Sequence, residues 1–402
     1  MPRILALTRY QRLGAASRIR VLQFLPELRT RGLDIDVNYL LDDVYVERLY
    51  QGQPVVASEV VRAYVKRLQV LAKPRRYRAL WIEKEALPWI PAVFERALLA
   101  RLPYVLDLDD AWFHRYDMHT NSLVKRLLGN KIDVVMRDSA AVVAGNDYLA
   151  ERARAAGARC VHVIPSVVDL TRYPQRSDAA TPAPGGDHAV IGWIGTPVTV
   201  RYLSQMREPL EHVTKRGGVT LHIVGARIPE ELAGLPVVSI PWSEATEVQE
   251  INKFSIGIMP LQATPWELGK CGFKLLQVMA AGLPVVASAV GVNVRIVRHG
   301  VNGFLASSAQ EWREAIATLC ADRALRERMG REARKTVEES YSLAAVIDAL
   351  ASLLESAATG RDAPGPRLWS RATLRRPVRS ENAGSDAGIT ARYEGHQAIS
   401  PE

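Results

Sequence analysis

Lys270, Lys274 and Gln277 are separated by four and three residues, so a helix through them would carry two cations and an amide on one face, one turn apart. The pattern from Trp266 onward predicts one continuous helix that is too apolar between Phe273 and Ala281 to be freely exposed. Gly282-Leu-Pro then stops it and turns the chain into the apolar run Val285–Ser288. A cationic face beside the end of a sheet is where open α/β folds bind ligands, and a phosphate is its simplest partner. A solvated amphipathic helix with surface lysines is the alternative reading.

A second group of reactive side chains follows another apolar run. Asp107-Leu-Asp109-Asp110, with His114 four residues on, offers Asp109, Asp110 and His114 as groups that could orient or deprotonate a hydroxyl. Asp109 or Asp110 could equally cap the next helix. Glu83 and Glu85 lie after a similar run and are further candidates. Carboxylates separated by one residue also suit a divalent cation, but the motif is far in sequence from the lysine-bearing segment, which favours a site without metal.

The elements that must position these groups are short apolar runs alternating with helical patterns, the signature of a parallel sheet covered by helices on both faces. The first half has candidate strands at Ile4–Thr8, Leu33–Tyr39, Ala79–Glu83, Tyr104–Leu108, Ala141–Ala144 and Val161–Ile164. The second half has them at Ala189–Trp193, Thr220–Val224, Val237–Pro241, Ser255–Pro260, Val285–Ser288 and Phe304–Ala306. The fold class is therefore α/β, with two Rossmann-like doubly wound domains facing a cleft. The expected division is 1–176, a linker at 177–188 rich in Ala, Pro, Gly and Asp, a second domain at 189–340, a C-terminal helix at 341–360 that could return to the first domain, and a disordered tail at 361–402.

With 402 residues the chain exceeds what one hydrophobic core usually spans. Its three cysteines, Cys160, Cys271 and Cys320, match neither a disulfide framework nor a zinc site, which points to a reducing cytoplasm. No apolar run approaches the roughly 18 residues of a membrane span. A formal net charge of +9 favours an anionic partner. The cationic residues concentrate in 61–78, where Arg62, Lys66, Arg67, Lys73, Arg75, Arg76 and Arg78 accompany an apolar stripe. That segment could rest on the anionic inner surface of a membrane, or be a domain helix with its charged face in water.

Taken together, Ile191-Gly-Trp-Ile-Gly195-Thr196-Pro197, Leu221-His-Ile-Val-Gly225, Ile256-Gly-Ile-Met-Pro260, the segment Pro265–Ser288 and Gly300-Val-Asn-Gly303-Phe304 resemble the donor-binding domain of family 4 glycosyltransferases of GT-B fold. The first half, with Gly14-Ala-Ala-Ser17-Arg18-Ile-Arg20, Asp107–Asp110, Gly145-Asn146-Asp147 and Ile164-Pro165-Ser166, is similar to that family's acceptor-side domain. The resemblance implies a metal-independent transferase that uses a nucleotide-sugar as co-substrate, with no further cofactor, and a saccharide or lipid-linked acceptor. It implies that Gly14 lets the backbone approach the donor diphosphate, with Ser17, Arg18 and Arg20 beside it; a structural turn and carboxylate pairing are the alternatives. Gly195, Arg201, Lys270, Lys274 and Gln277 complete the implied donor site.

Two positions depart from the family. Its paired glutamates, spaced E-x7-E, fall on Gly269 and Gln277, and only Arg201 stands where an Arg and a Lys often grip the diphosphate. These departures keep two alternatives open: a nucleotide-sugar epimerase of similar architecture, and a nucleotide-sugar-binding protein without turnover. A dinucleotide oxidoreductase is disfavoured because Gly14-Ala-Ala-Ser17 is not a G-x-G-x-x-G fingerprint. Nucleic-acid binding lacks any module to accompany the charge.

Overall fold

The computed structural model describes residues 2–73, 76–174, 188–215 and 217–361. Apart from His188 and Arg361, the expected linker and tail lie outside these residues.

Among the described residues, twelve strands form two parallel sheets of six. The first contains β1 (Arg3–Tyr10), β2 (Asp34–Leu41), β3 (Ala79–Glu83), β4 (Tyr104–Leu108), β5 (Ala141–Ala144) and β6 (Val161–Val163), in the order β2-β1-β3-β4-β5-β6. The second contains β7 (Ala189–Ile194), β8 (Val219–Val224), β9 (Val237–Ile240), β10 (Ile256–Met259), β11 (Val285–Ser288) and β12 (Gly303–Ala306), in the order β12-β11-β10-β7-β8-β9. Central strands are buried along their whole length, as in ALWIE of β3 and VVAS of β11. Helices cover both faces of such a sheet, so the strand sequences run apolar without alternation.

In both sheets the strand order reverses beside the first strand of the half. β1 lies between β2 and β3, and β7 lies between β8 and β10. Doubly wound sheets open a crevice at such a point, at the carboxyl ends of their strands. Tyr10, Glu83 and Leu108 end the strands of the first sheet there, and Ile194 and Met259 those of the second.

The chain returns to the first sheet at its end. Val168 pairs with the 341–343 backbone, its N–H donating to Tyr341 O (2.9 Å) and its carbonyl accepting from Leu343 N (3.1 Å). The helix Leu343–Thr359 then packs on β1, β3 and β4. Its apolar stripe, Val346, Ile347, Leu350, Leu353, Leu354 and Ala357, is buried, with the spacing of one helical face.

One element differs from the sequence reading. The expected continuous helix from Trp266 is two pieces, Pro265–Leu268 and Phe273–Ala280, interrupted by 269–272, with Gly272 at φ +68 as the cap of the second. Lys270 therefore sits in a turn, and only Lys274 and Gln277 share a helix. The i, i+4 spacing was compatible with a helix, but a left-handed residue at 272 ends one.

Candidate active site

The interruption at 269–272 is one place where the two halves touch. A Cβ on Gly269 would lie 2.4 Å from the backbone N of Ala111, and a Cβ on Gly145 would lie 2.3 Å from Cys271 Sγ. Only glycine permits either approach. Cys271 is consequently buried within the hydrophobic core of the first sheet although it belongs to the second half of the chain. Asn146 fixes the contact. Its Oδ1 accepts from Leu149 N (3.0 Å), capping the helix Asp147–Ala155, while its Nδ2 donates to Leu268 O (3.2 Å) and Lys270 O (2.9 Å). Trp112 and Trp266 face each other with centroids 6.1 Å apart.

This junction delivers Lys270 to the end of β4, where its Nζ lies 3.1 Å from Asp110. Burial pushes the Asp110 carboxyl up, against the pull of Lys270. A carboxyl held above its ordinary range is suited to exchange a proton nearer neutrality. Asp109, one residue earlier, is 3.2 Å from Lys84 Nζ. Burial alone would lower Lys84, but Asp109, Asp110 and Glu83 carry it upward. Lys84 and Trp89 are the two non-glycine residues at positive φ among the described residues. Strain of this kind collects at functional sites.

Lys274, in the first turn of Phe273–Ala280, points toward the end of β7. Its Nζ donates to Thr199 Oγ1 (2.8 Å) and lies 4.5 Å from the Trp193 ring centroid. Gly195 leaves the space: a Cβ there would be 2.5 Å from Lys274 Nζ. Arg201 is largely exposed on the next turn, 4.0 Å from Glu267. Glu267 is buried and accepts from Tyr202 OH (2.5 Å) and from Thr264.

Gln277 points into a separate buried group. Its Nε2 donates to Tyr173 OH (3.2 Å) and Glu247 Oε2 (3.3 Å). Glu247 also accepts from Trp242 Nε1 (2.9 Å) and pairs with Arg172 (2.7 Å). Arg18 crosses from the first half to stack on Trp242, 4.7 Å from its centroid. Burial lowers the Arg18 pKa, with Glu247 and Glu244 opposing. The structure thus brings Lys270 together with Asp110, Lys274 with Gly195, and Arg18 with Gln277 through Glu247.

Other expected site residues are engaged elsewhere. Ser17 Oγ donates to the buried Glu83 (2.6 Å), and Arg20 pairs with the buried Asp107 (2.7 Å) and donates to Ile164 O, so neither faces an open site. At Gly14 a Cβ would lie 2.4 Å from Tyr10 Cβ, so strand-to-helix packing accounts for the glycine. His114 differs most from its expected role. Asp117 takes its Nδ1 (2.8 Å) and Tyr148 OH its Nε2 (2.7 Å), leaving neither ring nitrogen to serve a substrate hydroxyl. Glu85 accepts from Trp112 (2.6 Å), Tyr116 (2.9 Å) and Lys131, an internal knot of charge.

Sequence reasoning gave no individual role to Lys84, Asn146, Glu247, Glu267 or Cys271 in this region. Lys84 directly follows the run Ala79–Glu83, Asn146 lies in the Gly145-Asn146-Asp147 motif and Glu267 and Cys271 lie within Pro265–Ser288, whereas Glu247 left no signal. Among the described residues no group of three or more His, Cys, Asp or Glu is arranged to hold a metal.

Comparison with known proteins fits this geometry. Residues 189–322 match the family model of glycosyl transferases group 1. Spore coat protein SA of Bacillus subtilis is 30% identical over 82 residues, a match spanning 20% of this chain and 22% of that protein. Anabaena HepE, solved with UDP and glucose, superposes with TM-score 0.65 at 19% identity, covering 89% of this chain and 100% of the other. Sucrose-phosphate synthase from Thermosynechococcus elongatus gives TM-score 0.66 at 14% identity over 90% and 100% of the two chains. WaaG, a glycosyltransferase involved in lipopolysaccharide biosynthesis, gives 0.62 at 14% identity over 87% and 99%. The two parallel sheets are the paired Rossmann-like halves of the GT-B fold.

The close approach at Gly145 makes Cys271 a reporter of the junction. Overpacking a filled contact costs about 1–3 kcal/mol, so Gly145→Ala should raise the rate of Cys271 labelling by an aromatic disulfide about tenfold or more, measured in a Cys160→Ser, Cys320→Ser background. Unchanged labelling would mean that the junction is already open in solution.

Proposed function

We propose that this chain, whose residues 189–322 match the model of glycosyl transferases group 1, transfers a sugar from a nucleotide diphosphate donor to a saccharide or glycoconjugate acceptor. In this reading residues 189–340 hold the donor, residues 1–176 hold the acceptor, and the helix at 341–360 ties the chain's end to the acceptor side. The observation that carries it is Lys274, fixed by Thr199 and Trp193 beside Gly195 at the end of β7, inside the family-matched segment.

The diphosphate needs fixed positive charge as it leaves, and preorganised cations supply it without reorganisation during the reaction. Lys274 and Lys270 take that role, with Arg201 on the exposed side. Gln277 and Glu247 together offer hydrogen-bonding groups where the family uses a second glutamate, so the carboxylate comes from another element. Gly269 replaces the first glutamate because the halves meet there. Asp110, with its raised pKa, and Asp109 serve the acceptor hydroxyl as orienting or proton-accepting groups. A nucleotide-sugar suffices as co-substrate, with no further cofactor. The HepE complexes contain UDP or UDP-glucose, which makes UDP-sugars the first donors to try. Epimerase and pure-binding readings are not favoured beside this family assignment.

The exposed face of the helix Ala57–Ala72 supports a peripheral membrane contact, and with it a lipid-linked acceptor. Val61, Val65 and Leu68 are exposed there, interleaved with Arg62 and Lys66, while Arg67 and Leu71 turn into the core. Two cations near an anionic surface contribute about 1 kcal/mol each.

Titration with UDP-, GDP-, dTDP- and ADP-sugars should find one donor that binds wild type and binds Lys274→Ala at least tenfold more weakly, a loss of about 1.4 kcal/mol or more. Release of free nucleotide only when acceptor is present would complete the assignment. Binding that survives Lys274→Ala rejects the site. Sedimentation with phosphatidylglycerol vesicles should capture wild type, and Arg62→Glu with Lys66→Glu should reduce capture roughly tenfold or more; equal recovery of both proteins removes the membrane contact.

A further inference from the structure

Arg115 is 7% exposed, yet its Nε has no hydrogen-bond partner. What surrounds its guanidinium is aromatic: the ring centroids of Trp89 and Trp112 lie 5.1 Å and 4.9 Å away. The same Trp112 ring carries Arg9 at 4.7 Å and Lys84 at 4.8 Å, so three cations share one indole. Such stacking compensates part of the desolvation and leaves the rest of the burial cost standing.

The acidic residues of the neighbourhood are occupied. Glu85 lies 3.7 Å from Arg9, but it also accepts from Trp112, Tyr116 and Lys131. Asp109 faces Lys84. Burial and the Arg9 charge both lower the Arg115 pKa, so the fold disfavours the charge that it keeps there. A buried guanidinium in this state is expensive unless an anion completes it.

Two further observations concern the same place. The loop after β3 holds both positive-φ non-glycine residues, Lys84 and Trp89. Trp89, one wall of the Arg115 stack, is 39% exposed, so the stack borders the surface. The cluster gathers at the end of β1 and after β3 and β4, in the half of the chain that the proposed function gives to the acceptor.

We propose that Arg115, flanked by Arg9 and walled by Trp89 and Trp112, is a subsite for an oxyanion, a phosphate or a carboxylate, carried by the acceptor. That the oxyanion belongs to an acceptor rests on the transferase reading; the oxyanion site does not. The planar guanidinium meets either group with two parallel N–H donors, and the indoles hold it flat for that contact. The acceptor is therefore an acidic glycan or a phosphorylated saccharide rather than a neutral sugar.

Thermal unfolding tests this with inorganic phosphate and with glucuronate as probes, in wild type and in Lys274→Ala, the latter to remove the phosphate response of the donor site. A ligand that binds only the folded protein raises its Tm. At least one probe should raise the Tm of both proteins, and Arg115→Met added to Lys274→Ala should abolish the rise while leaving the probe-free Tm equal or higher, because a buried charge has been removed. Arg115→Lys should keep part of the rise. The probe giving the larger rise names the source, phosphate or uronate. An unchanged rise when Arg115→Met is added to Lys274→Ala, or no rise with either probe in the Lys274→Ala protein, overturns the proposal. Nucleotide-sugar titration of the wild type decides the transferase reading separately, so the failure of one is distinguishable from that of the other.

Discussion

The Asn146 carboxamide, bonded at once to the start of its own helix and to the carbonyls of Leu268 and Lys270, sets the separation of the two halves where the 269–272 turn meets the first sheet. Everything near the site inherits that constraint. The turn it holds is too close to Ala111 for any side chain at 269, and too close to Gly145 for any at 145. The helix Phe273–Ala280 starts immediately afterward, so the aim of Lys274 toward Gly195 and of Gln277 toward Glu247 follows from where the turn is pinned. Lys270, in the turn itself, meets Asp110 of the opposite half.

The second physical theme is charge buried at the ends of parallel strands. Glu83, Lys84, Glu85 and Asp107 are all nearly inaccessible, and each is held by a named partner: Ser17, Asp109, Lys131 and Arg20. Burial opposes every one of these charges, and the outcome depends on the partners. For Glu85 burial would raise the pKa, but Lys131 and Arg9 bring it below its ordinary value. Its contribution to stability is therefore present above the ordinary carboxylate range and lost as pH falls. For Glu83, Asp107 and Asp110 burial prevails and the pKa is raised. Their ionisation works against the fold at neutral pH, and that opposition is relieved as pH falls. Breaking a buried pair leaves a charge stranded, whereas replacing the whole pair by apolar groups is often harmless.

Much of the fold was legible because parallel strands covered on both faces run apolar and are bounded by polar turns. All twelve strands lie where those runs predicted, with Ala79–Glu83, Tyr104–Leu108, Ala141–Ala144 and Val285–Ser288 matching to the residue. The interruption at 269–272 was not legible, since Lys270, Lys274 and Gln277 satisfy helical spacing whether or not the helix is continuous. The partner of Gln277 could not be found from sequence either, because Glu247 lies 30 residues away on another element. Gly269 read as a lost carboxylate, and its steric reason exists only when Ala111 is placed against it. His114 carried the right chemistry and spacing, but Tyr148 and Asp117, which take both its nitrogens, depend on the tertiary fold.

If the pinned turn offers Lys270 to an anionic donor, as proposed, Asp110 competes for the same ammonium. The most direct measurement is nucleoside diphosphate affinity, by calorimetry, in Asp110→Asn. Relieving Lys270 of that carboxylate should tighten binding roughly fivefold, about 1 kcal/mol for a partly exposed pair, and adding Lys270→Met should remove the gain. Affinity that is unchanged or weaker in Asp110→Asn, or a gain that persists without Lys270, would contradict the account.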